Sequence, residues 1–328
     1  MLAALAIYAV TGGADFGGGI WDMLASGPRK VQQRRTIALA IGPIWEANHV
    51  WLILVVVLCF VSYPSAFATI GIALHIPLTI MLVGIVLRGT AFVFRAYDSR
   101  SDEVQRRWSA VFSAASVWSP FMLGCCIGAM ASGKIRVSGT LVSGGYVAPW
   151  TGAFPFSVGA FVLSLFALLA ATYLTLESDD PALTEDFRTR AMAAWAASGA
   201  CAWMTLWTAR TGAPLLYEGL WQSPWALPFQ LMVGLLSGTV LWALTRRRYR
   251  WARALCIALV WAVVWGWGMA QYPWLVVPDL TIAGTAAPRE ALVPVLTVLA
   301  LGAIPLAGSF WALYAVFKSA PANQLYRD

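Results

Sequence analysis

The sequence predicts an all-α integral membrane protein with about nine transmembrane helices arranged in helical bundles. Three observations lead to this fold class: the composition, the length of the apolar runs and the placement of the basic residues. Of the 328 residues, 60% are hydrophobic and 11% are charged, whereas an average soluble domain is about 45–50% apolar and about 25% charged. A soluble globule of this length would expose large apolar patches to water, so we interpret residues 1–328 as a single polytopic membrane domain.

The apolar runs have the length that a bilayer requires, which is about 20 mostly apolar residues per helix. The predicted spans are 1–24, 43–62, 66–94, 108–131, 154–176, 189–209, 224–245, 252–270 and 291–317. The first is the least regular, because it contains Asp15, Asp22 and the glycines 17–19. A membrane helix accepts glycine where a neighbouring helix packs closely, so this segment is expected to have close neighbours.

The basic residues fall in short clusters between the apolar runs. Of the 22 Lys and Arg residues, seventeen lie in connections on one side of the predicted bundle and four on the other, and Arg88 lies inside a span. Since cytoplasmic loops of membrane proteins are enriched in Lys and Arg, this distribution predicts an outside N-terminus and a cytoplasmic C-terminus. The same clustering argues against nucleic-acid binding, although the net charge is +7.

The five cysteines lie in or beside apolar stretches and form no C-x-x-C pattern. The sequence therefore gives no support for a zinc site or a covalently attached haem.

Ionisable residues at membrane depth are costly and are functional candidates for that reason. These are Asp15, Glu46, His49, His75 and Arg88, with Asn48 and Gln230 as neutral companions.

The segment GPIWEANHVWLI (42–53) contains several of these candidates. Pro43 suits the first turn of a helix, which places Glu46 near the helix start. Glu46 then either complements the helix dipole, the interpretation that spacing alone favours, or accepts protons at the mouth of a polar path. Asn48 and Trp51 share a helix face, where the tryptophan either closes a water path or packs.

Arg88 and the two histidines also leave alternatives open. Arg88 either extends to the membrane interface or pairs with a buried acid such as Asp15 or Glu46. His49 and His75 are the only histidines and could in principle hold one haem. Packing or interface roles are favoured, because two ligands are too few for a multi-haem site.

The chain resembles subunit II of cytochrome bd-type quinol oxidases, including the cyanide-insensitive branch. The resemblance rests on TGGADFGGG (11–19), RTIALAIGPIWEANHVWLI (35–53), YPSAFATI (63–70), LRGTAFVFR (87–95) and GWGMAQYPWLVVPDLTI (266–282). It implies a haem-free subunit of a bacterial cytoplasmic-membrane complex that oxidises membrane quinol and reduces oxygen to water. It also implies a heterodimer in which a partner, subunit I, holds haem b and haem d or a further b-type haem. A small single-helix accessory subunit, lipid and quinone are further implied partners.

The resemblance also assigns roles to residues. Glu46 occupies the family's acidic position, and Asp15 and Arg88 match further polar positions of its proposed proton path. Together with Asn48 they are our candidates for a proton path, and the tryptophans of the same block, Trp45 and Trp51, are candidates for packing or a water gate. No catalytic, cofactor-binding or metal residue is expected in this chain. The sequence departs from the family pattern where Gly12 and Val93 replace two acids of that path.

The alternative function is a secondary transporter, whose sites are also polar groups at the membrane midplane between helices. Inverted repeats and paired broken helices would favour it, and the sequence shows neither.

Overall fold

The computed structural model describes residues 1–42, 45–97, 102–139 and 141–318. The helices are α1 (Leu2–Met23), α2 (Lys30–Ile41), α3 (Trp45–Ser62), α4 (Pro64–Ala73), α5 (His75–Tyr97), α6 (Asp102–Ala131), α7 (Ala153–Leu174), α8 (Pro181–Gly212), α9 (Pro214–Trp221), α10 (Ala226–Thr245), α11 (Tyr249–Gln271), α12 (Ile282–Thr285) and α13 (Arg289–Lys318). Two antiparallel hairpins complete the described fold, with strands β1 (Arg136–Ser138), β2 (Leu141–Ser143), β3 (Trp274–Val276) and β4 (Leu280–Thr281). Val137 pairs with Val142 in the first hairpin, and Trp274 pairs with Thr281 in the second.

The predicted all-α membrane fold is confirmed, and eight of the nine predicted spans each overlap one helix. Seven of these helices, α3, α5, α6, α7, α10, α11 and α13, are long and apolar enough to cross a membrane. The helices α1 and α8, of 22 and 32 residues, correspond to the other two predicted spans. That α1 and α8 cross the bilayer stays a prediction.

The prediction of one continuous helix over 66–94 is wrong. The chain turns at Leu74, which separates the short helix α4 from the membrane helix α5. The turn residue Leu74 is itself apolar and fully buried. The apolar run is therefore uninterrupted, and hydropathy alone does not reveal the break. The helices α2 and α9 were not predicted, and Pro43 lies outside the described residues.

Proline and capping residues define several helix starts. Pro64, Pro181 and Pro214 occupy the first turns of α4, α8 and α9, where their missing N–H groups would have no helical acceptor. The Asp180 side chain accepts a hydrogen bond from the Ala182 N–H at 2.9 Å and caps α8.

The glycine-rich helix α1 packs at the centre of the bundle, against α6 and α7. A Cβ atom on Gly17 would overlap the Phe166 carbonyl of α7, and one on Gly19 would overlap the Ser116 side chain of α6. The close neighbours expected from the sequence are therefore present, and the lack of side chains brings the helices together.

The two ends of the bundle differ in charge. We call the end that holds the α5–α6, α7–α8 and α10–α11 connections the arginine-rich end. There Arg29 donates to Asp186 at 2.8 and 2.5 Å, and this hydrogen bonding holds the pKa of the Asp186 carboxyl below its usual range. At the opposite end, Arg136 donates to Asp279 at 2.9 and 3.1 Å and joins the two hairpins.

The helix α13 lies outside this packed centre. None of its most apolar stretch is buried, whereas 67% of the corresponding stretch of α7 is buried. Its clearest side-chain contact is a stack of Phe310 on Trp51 of α3, with ring centroids 5.6 Å apart.

Candidate functional site

Asp15 and Asn48 meet in the interior of the bundle. Asp15 lies on α1 and Asn48 on α3, and both residues are at most 2% exposed. The Asn48 Nδ2 atom donates to Asp15 Oδ2 at 2.7 Å. A buried carboxylate needs hydrogen-bond donors to offset its lost hydration. The amide of Asn48 supplies one such donor.

Arg88 approaches Asp15 from α5, and it is only 2% exposed. Its Nη2 atom donates to the Asp15 main-chain carbonyl at 2.9 Å, and its Nε atom donates to Ser116 Oγ at 3.1 Å. The guanidinium also lies 4.9 Å from the Phe16 ring centroid and 5.2 Å from that of Phe112. Arg88 therefore does not extend to the membrane interface, and its positive charge lies beside Asp15.

A second buried acid, Asp22, repeats this arrangement one step nearer the arginine-rich end. Arg95 donates to its carboxylate at 3.2 and 3.4 Å, and Ser113 Oγ donates at 3.2 Å. Asp22 follows Asp15 by seven residues, and Arg95 follows Arg88 by seven. Two helical turns take about seven residues. Because α1 and α5 run in the same direction, they place an aspartate of α1 beside an arginine of α5 at two depths in the bundle.

A cavity of about 180 Å³ extends from Asp15 and Asn48 towards the arginine-rich end. Its walls come from α1, α2, α3, α7 and α11. The polar residues that line it are Thr11, Asp15, Asn48, Tyr173, Glu177 and Arg253. A water molecule in the liquid occupies about 30 Å³, so this space accommodates several waters between Asp15 and the surface.

The other members of the predicted proton path lie elsewhere. Glu46 is on the exposed face of α3 and does not line the cavity. Trp45 packs beside Phe92, with ring centroids 5.8 Å apart, and Trp51 stacks on Phe310 of α13. The structure thus groups Asp15, Asn48 and Arg88, while the predicted roles of Glu46 and the two tryptophans stay predictions.

The two departures from the family pattern have local explanations. A Cβ atom on Gly12 would lie 2.6 Å from the Tyr8 ring, so an acid at this position would displace that buried tyrosine. Val93 is 43% exposed on α5, so it leaves no gap among the buried polar groups.

The two histidines occupy different ends of the molecule. His49 lies one turn into α3, near the arginine-rich end, with the rings of Tyr8, Phe16 and Trp45 between 5.7 and 6.3 Å away. His75 is exposed at the start of α5, near the opposite end, where its Nδ1 atom lies 2.9 Å from the Ile72 carbonyl. This separation prevents the two imidazoles from binding one haem iron.

Gln230 is remote from Asp15. It donates to the Leu220 carbonyl at 2.9 Å and lines a second, mostly apolar cavity of about 500 Å³.

Sequence reasoning did not select Asp22, Glu177 or Arg253 as site residues. The equal seven-residue spacing of Asp15 and Asp22 and of Arg88 and Arg95 was a usable signal for Asp22. Glu177 stands in an acidic connection that resembles an ordinary solvated loop, so the sequence carried no signal for its place beside the cavity.

The chain matches the family described as cytochrome bd terminal oxidase subunit II over residues 1–317. It belongs to this family. Members with curated descriptions include cytochrome bd ubiquinol oxidase subunit 2 of Bacillus subtilis, which is 34% identical over 112 residues. Cytochrome bd-I ubiquinol oxidase subunit 2 of Escherichia coli K12 is 28% identical over 128 residues. These alignments cover 34% and 38% of this chain, and each covers 32% of the relative.

The fold of this subunit II family member also matches a solved structure. A chain of the bd oxidase from Geobacillus thermodenitrificans superimposes with a TM-score of 0.80, covering 96% of both chains at 21% sequence identity. At this identity the match establishes the fold, including its membrane-helix architecture.

Proposed function

We propose that this chain is the haem-free subunit II of a cytochrome bd-type quinol oxidase, a terminal oxidase of the respiratory chain. The complex would oxidise membrane quinol and reduce oxygen to water. The observation that carries the proposal is family membership over residues 1–317. A secondary transporter, the alternative from the sequence, gains no support from the family or from the structural match.

The distribution of histidines supports a haem-bearing partner, subunit I. A haem iron requires axial ligands that face an internal cavity, and His49 and His75 lie at opposite ends of the bundle. Haem b, and haem d or a further b-type haem, would therefore be held by the partner. This chain would provide no catalytic residue and no metal ligand.

The outer surface of α13 is where we place the partner. This helix buries none of its most apolar stretch, and a Cβ atom added to Gly302 or Gly308 would meet open space. Small residues on a membrane helix permit close approach of another helix. In the assembled heterodimer, α13 would lie between the packed centre of this chain and subunit I.

The complex would lie in the bacterial cytoplasmic membrane, with the arginine-rich end of this chain facing the cytoplasm. The single polytopic domain would then have its N-terminus outside and its C-terminus inside. Lipid, quinone and a small single-helix subunit would be further partners. Alkaline phosphatase fused to the C-terminus should be inactive, because it would lie in the cytoplasm. An active fusion, which requires a periplasmic C-terminus, would contradict this topology.

Within the complex, the Asp15 carboxylate would carry protons towards the oxygen-reducing site. Asn48 would hold the carboxylate in place, and the positive charge of Arg88 would lie beside it. Proton supply is required because reducing one oxygen molecule to two waters consumes four protons.

Copurification with haem tests this function. The tagged chain, expressed with its haem-bearing partner, should recover a coloured complex whose redox difference spectrum shows haem and which consumes oxygen with quinol. Replacing both His49 and His75 with alanine should leave the haem bands of the assembled complex unchanged. A stable but colourless chain would contradict the oxidase role, and a haem band lost from an assembled double variant would contradict the assignment of haem to the partner.

A further inference from the structure

The cavity beside Asp15 opens at a place that the family resemblance does not indicate. Its outer residues are Tyr173 at the end of α7, Glu177 just beyond α7, and Arg253 in the second turn of α11. All three residues are half-buried. Ionisable groups therefore occur at both ends of the space, with Glu177 outside and Asp15 inside.

The inner end contains a buried polar atom with no hydrogen-bond partner among the described residues. Asn48 is 1% exposed, and its Oδ1 atom has no hydrogen-bond donor among the residues that the structure describes. Its amide nitrogen is already directed to Asp15. Because Asn48 lines the cavity, a water molecule there can donate to Oδ1, and a buried acceptor is costly to leave without a donor.

A proton that moves between the surface and Asp15 needs a chain of waters, because Asp15 lies far from the end of α1. Asp15 lies eight residues before Met23, the last residue of α1, which corresponds to about 12 Å along the helix. A single side chain cannot cover this distance, whereas several waters can. The cavity has the volume for them.

The outer end has a fixed wall and a carboxylate. The Arg253 guanidinium lies 4.5 Å from the Tyr173 ring centroid, so a cation–π contact joins α11 to the end of α7. Glu177 lies beside this pair in the turn that follows α7, where its N–H bonds to the Leu174 carbonyl at 3.3 Å. A carboxylate at such an opening can exchange protons with bulk water.

We propose that protons enter this subunit through the cavity between α1, α2, α3, α7 and α11, with Glu177 at its mouth and Asp15 at its inner end. The Glu177 carboxylate takes a proton from bulk water and releases it to the waters in the cavity, and the Asp15 carboxylate receives it. Glu46 does not line this cavity, because it lies on the exposed face of α3. The inference rests on the proposed role of Asp15 in the oxidase.

Turnover of the purified complex tests the inlet. The variants are Glu177→Gln, which removes the proton carrier, and Ala40→Leu, which fills the cavity without changing charge. Each should lower quinol-dependent oxygen consumption per haem on the order of tenfold and raise the ratio of rates in H2O and D2O. Glu177→Asp should restore most of the rate, because it restores the carboxylate. Glu103→Gln is the control, since Glu103 is a 67% exposed acid at the same end that pairs with Arg107, and it should leave the rate unchanged.

Asp15→Asn separates the inlet from the proton role itself. Slow turnover in Asp15→Asn with normal rates in Glu177→Gln and Ala40→Leu would place the inlet elsewhere and overturn this inference alone. A normal rate in Asp15→Asn would remove the proton role of this subunit and the inlet with it.

A labelling experiment keeps the inference open to refutation if a variant does not assemble. Ala40→Cys in the intact complex should react with a small charged methanethiosulfonate reagent much faster than the buried thiols Cys125 and Cys256. Equal protection of all three thiols would show that water does not enter the cavity.

Discussion

The centre of the bundle and the helix α13 both contain glycines, but these glycines have different surroundings. In α1, glycines remove side chains so that α6 and α7 can approach, and the polar residues Asp15 and Asp22 are enclosed there. In α13, glycines face open space, and the apolar side chains are exposed. A glycine in a membrane helix therefore permits close packing but does not say what packs there. In α1 the neighbours belong to the same chain, whereas the neighbour that we propose for α13 is subunit I.

The largest effect is expected from one substitution made at the centre and at the surface. Gly17→Leu should prevent the chain from folding. The new side chain would overlap the Phe166 backbone of α7, which cannot move aside. Gly234→Leu is the matched control on α10, where nothing lies within 4 Å of the added Cβ. Size-exclusion profiles of the detergent-solubilised chain measure the effect, and similar profiles for both variants would show that α1 is not packed as described.

Arg88 tests whether the centre depends on charge as well as on close packing. Arg88→Met should lower the free energy of unfolding by about 3 kcal/mol, because it leaves the buried Asp15 without its positive neighbour. Arg107→Met removes an arginine that is 76% exposed and pairs only at the surface, so it should change stability by less than about 1 kcal/mol. Thermal melting of the purified chain compares the two, and equal losses would mean that burial does not determine the effect.

The helix α13 should respond in a different measurement. Gly302→Leu should leave the melting temperature of the isolated chain unchanged, since the added side chain meets open space. The proposed partner would be held away from α13, so recovery of haem with the tagged chain should fall several-fold. Unchanged recovery in Gly302→Leu would mean that α13 faces lipid in the complex.

The smallest effect is expected outside the membrane, at the junction of the two hairpins. The hydrogen bonds from Arg136, with one from the Val137 N–H at 2.7 Å, hold the pKa of Asp279 below its usual range. The resulting stabilisation is present at neutral pH, and it is lost as the pH falls through the lowered folded-state pKa. Asp279→Asn should therefore cost less than about 1 kcal/mol at pH 7. Melting curves should show that the stability difference between Asp279→Asn and the original chain becomes smaller as the pH falls. A stability difference that grows on acidification would contradict a lowered pKa of Asp279.

Much of the candidate site could be predicted one residue at a time. Asp15, Asn48 and Arg88 stand out because polar groups within apolar runs are rare and costly, and the structure brings these three together. Glu46 was selected by the same rule, yet it lies on the exposed face of α3. Position along a helix indicates depth in the membrane, but the side that a residue faces depends on how the helices pack.

Composition and motifs were enough to predict the membrane class of this protein, its family and most of its apolar helices. These properties follow from local composition and motif order, which are independent of helix packing. Three features became visible only in the folded chain: the turn at Leu74, the pairing of Asp22 with Arg95, and the position of Glu177 beside the cavity that reaches Asp15. The last two of these features join residues distant in the chain, and the close approach of α1 to its neighbours, which the glycines permit, brings such residues together.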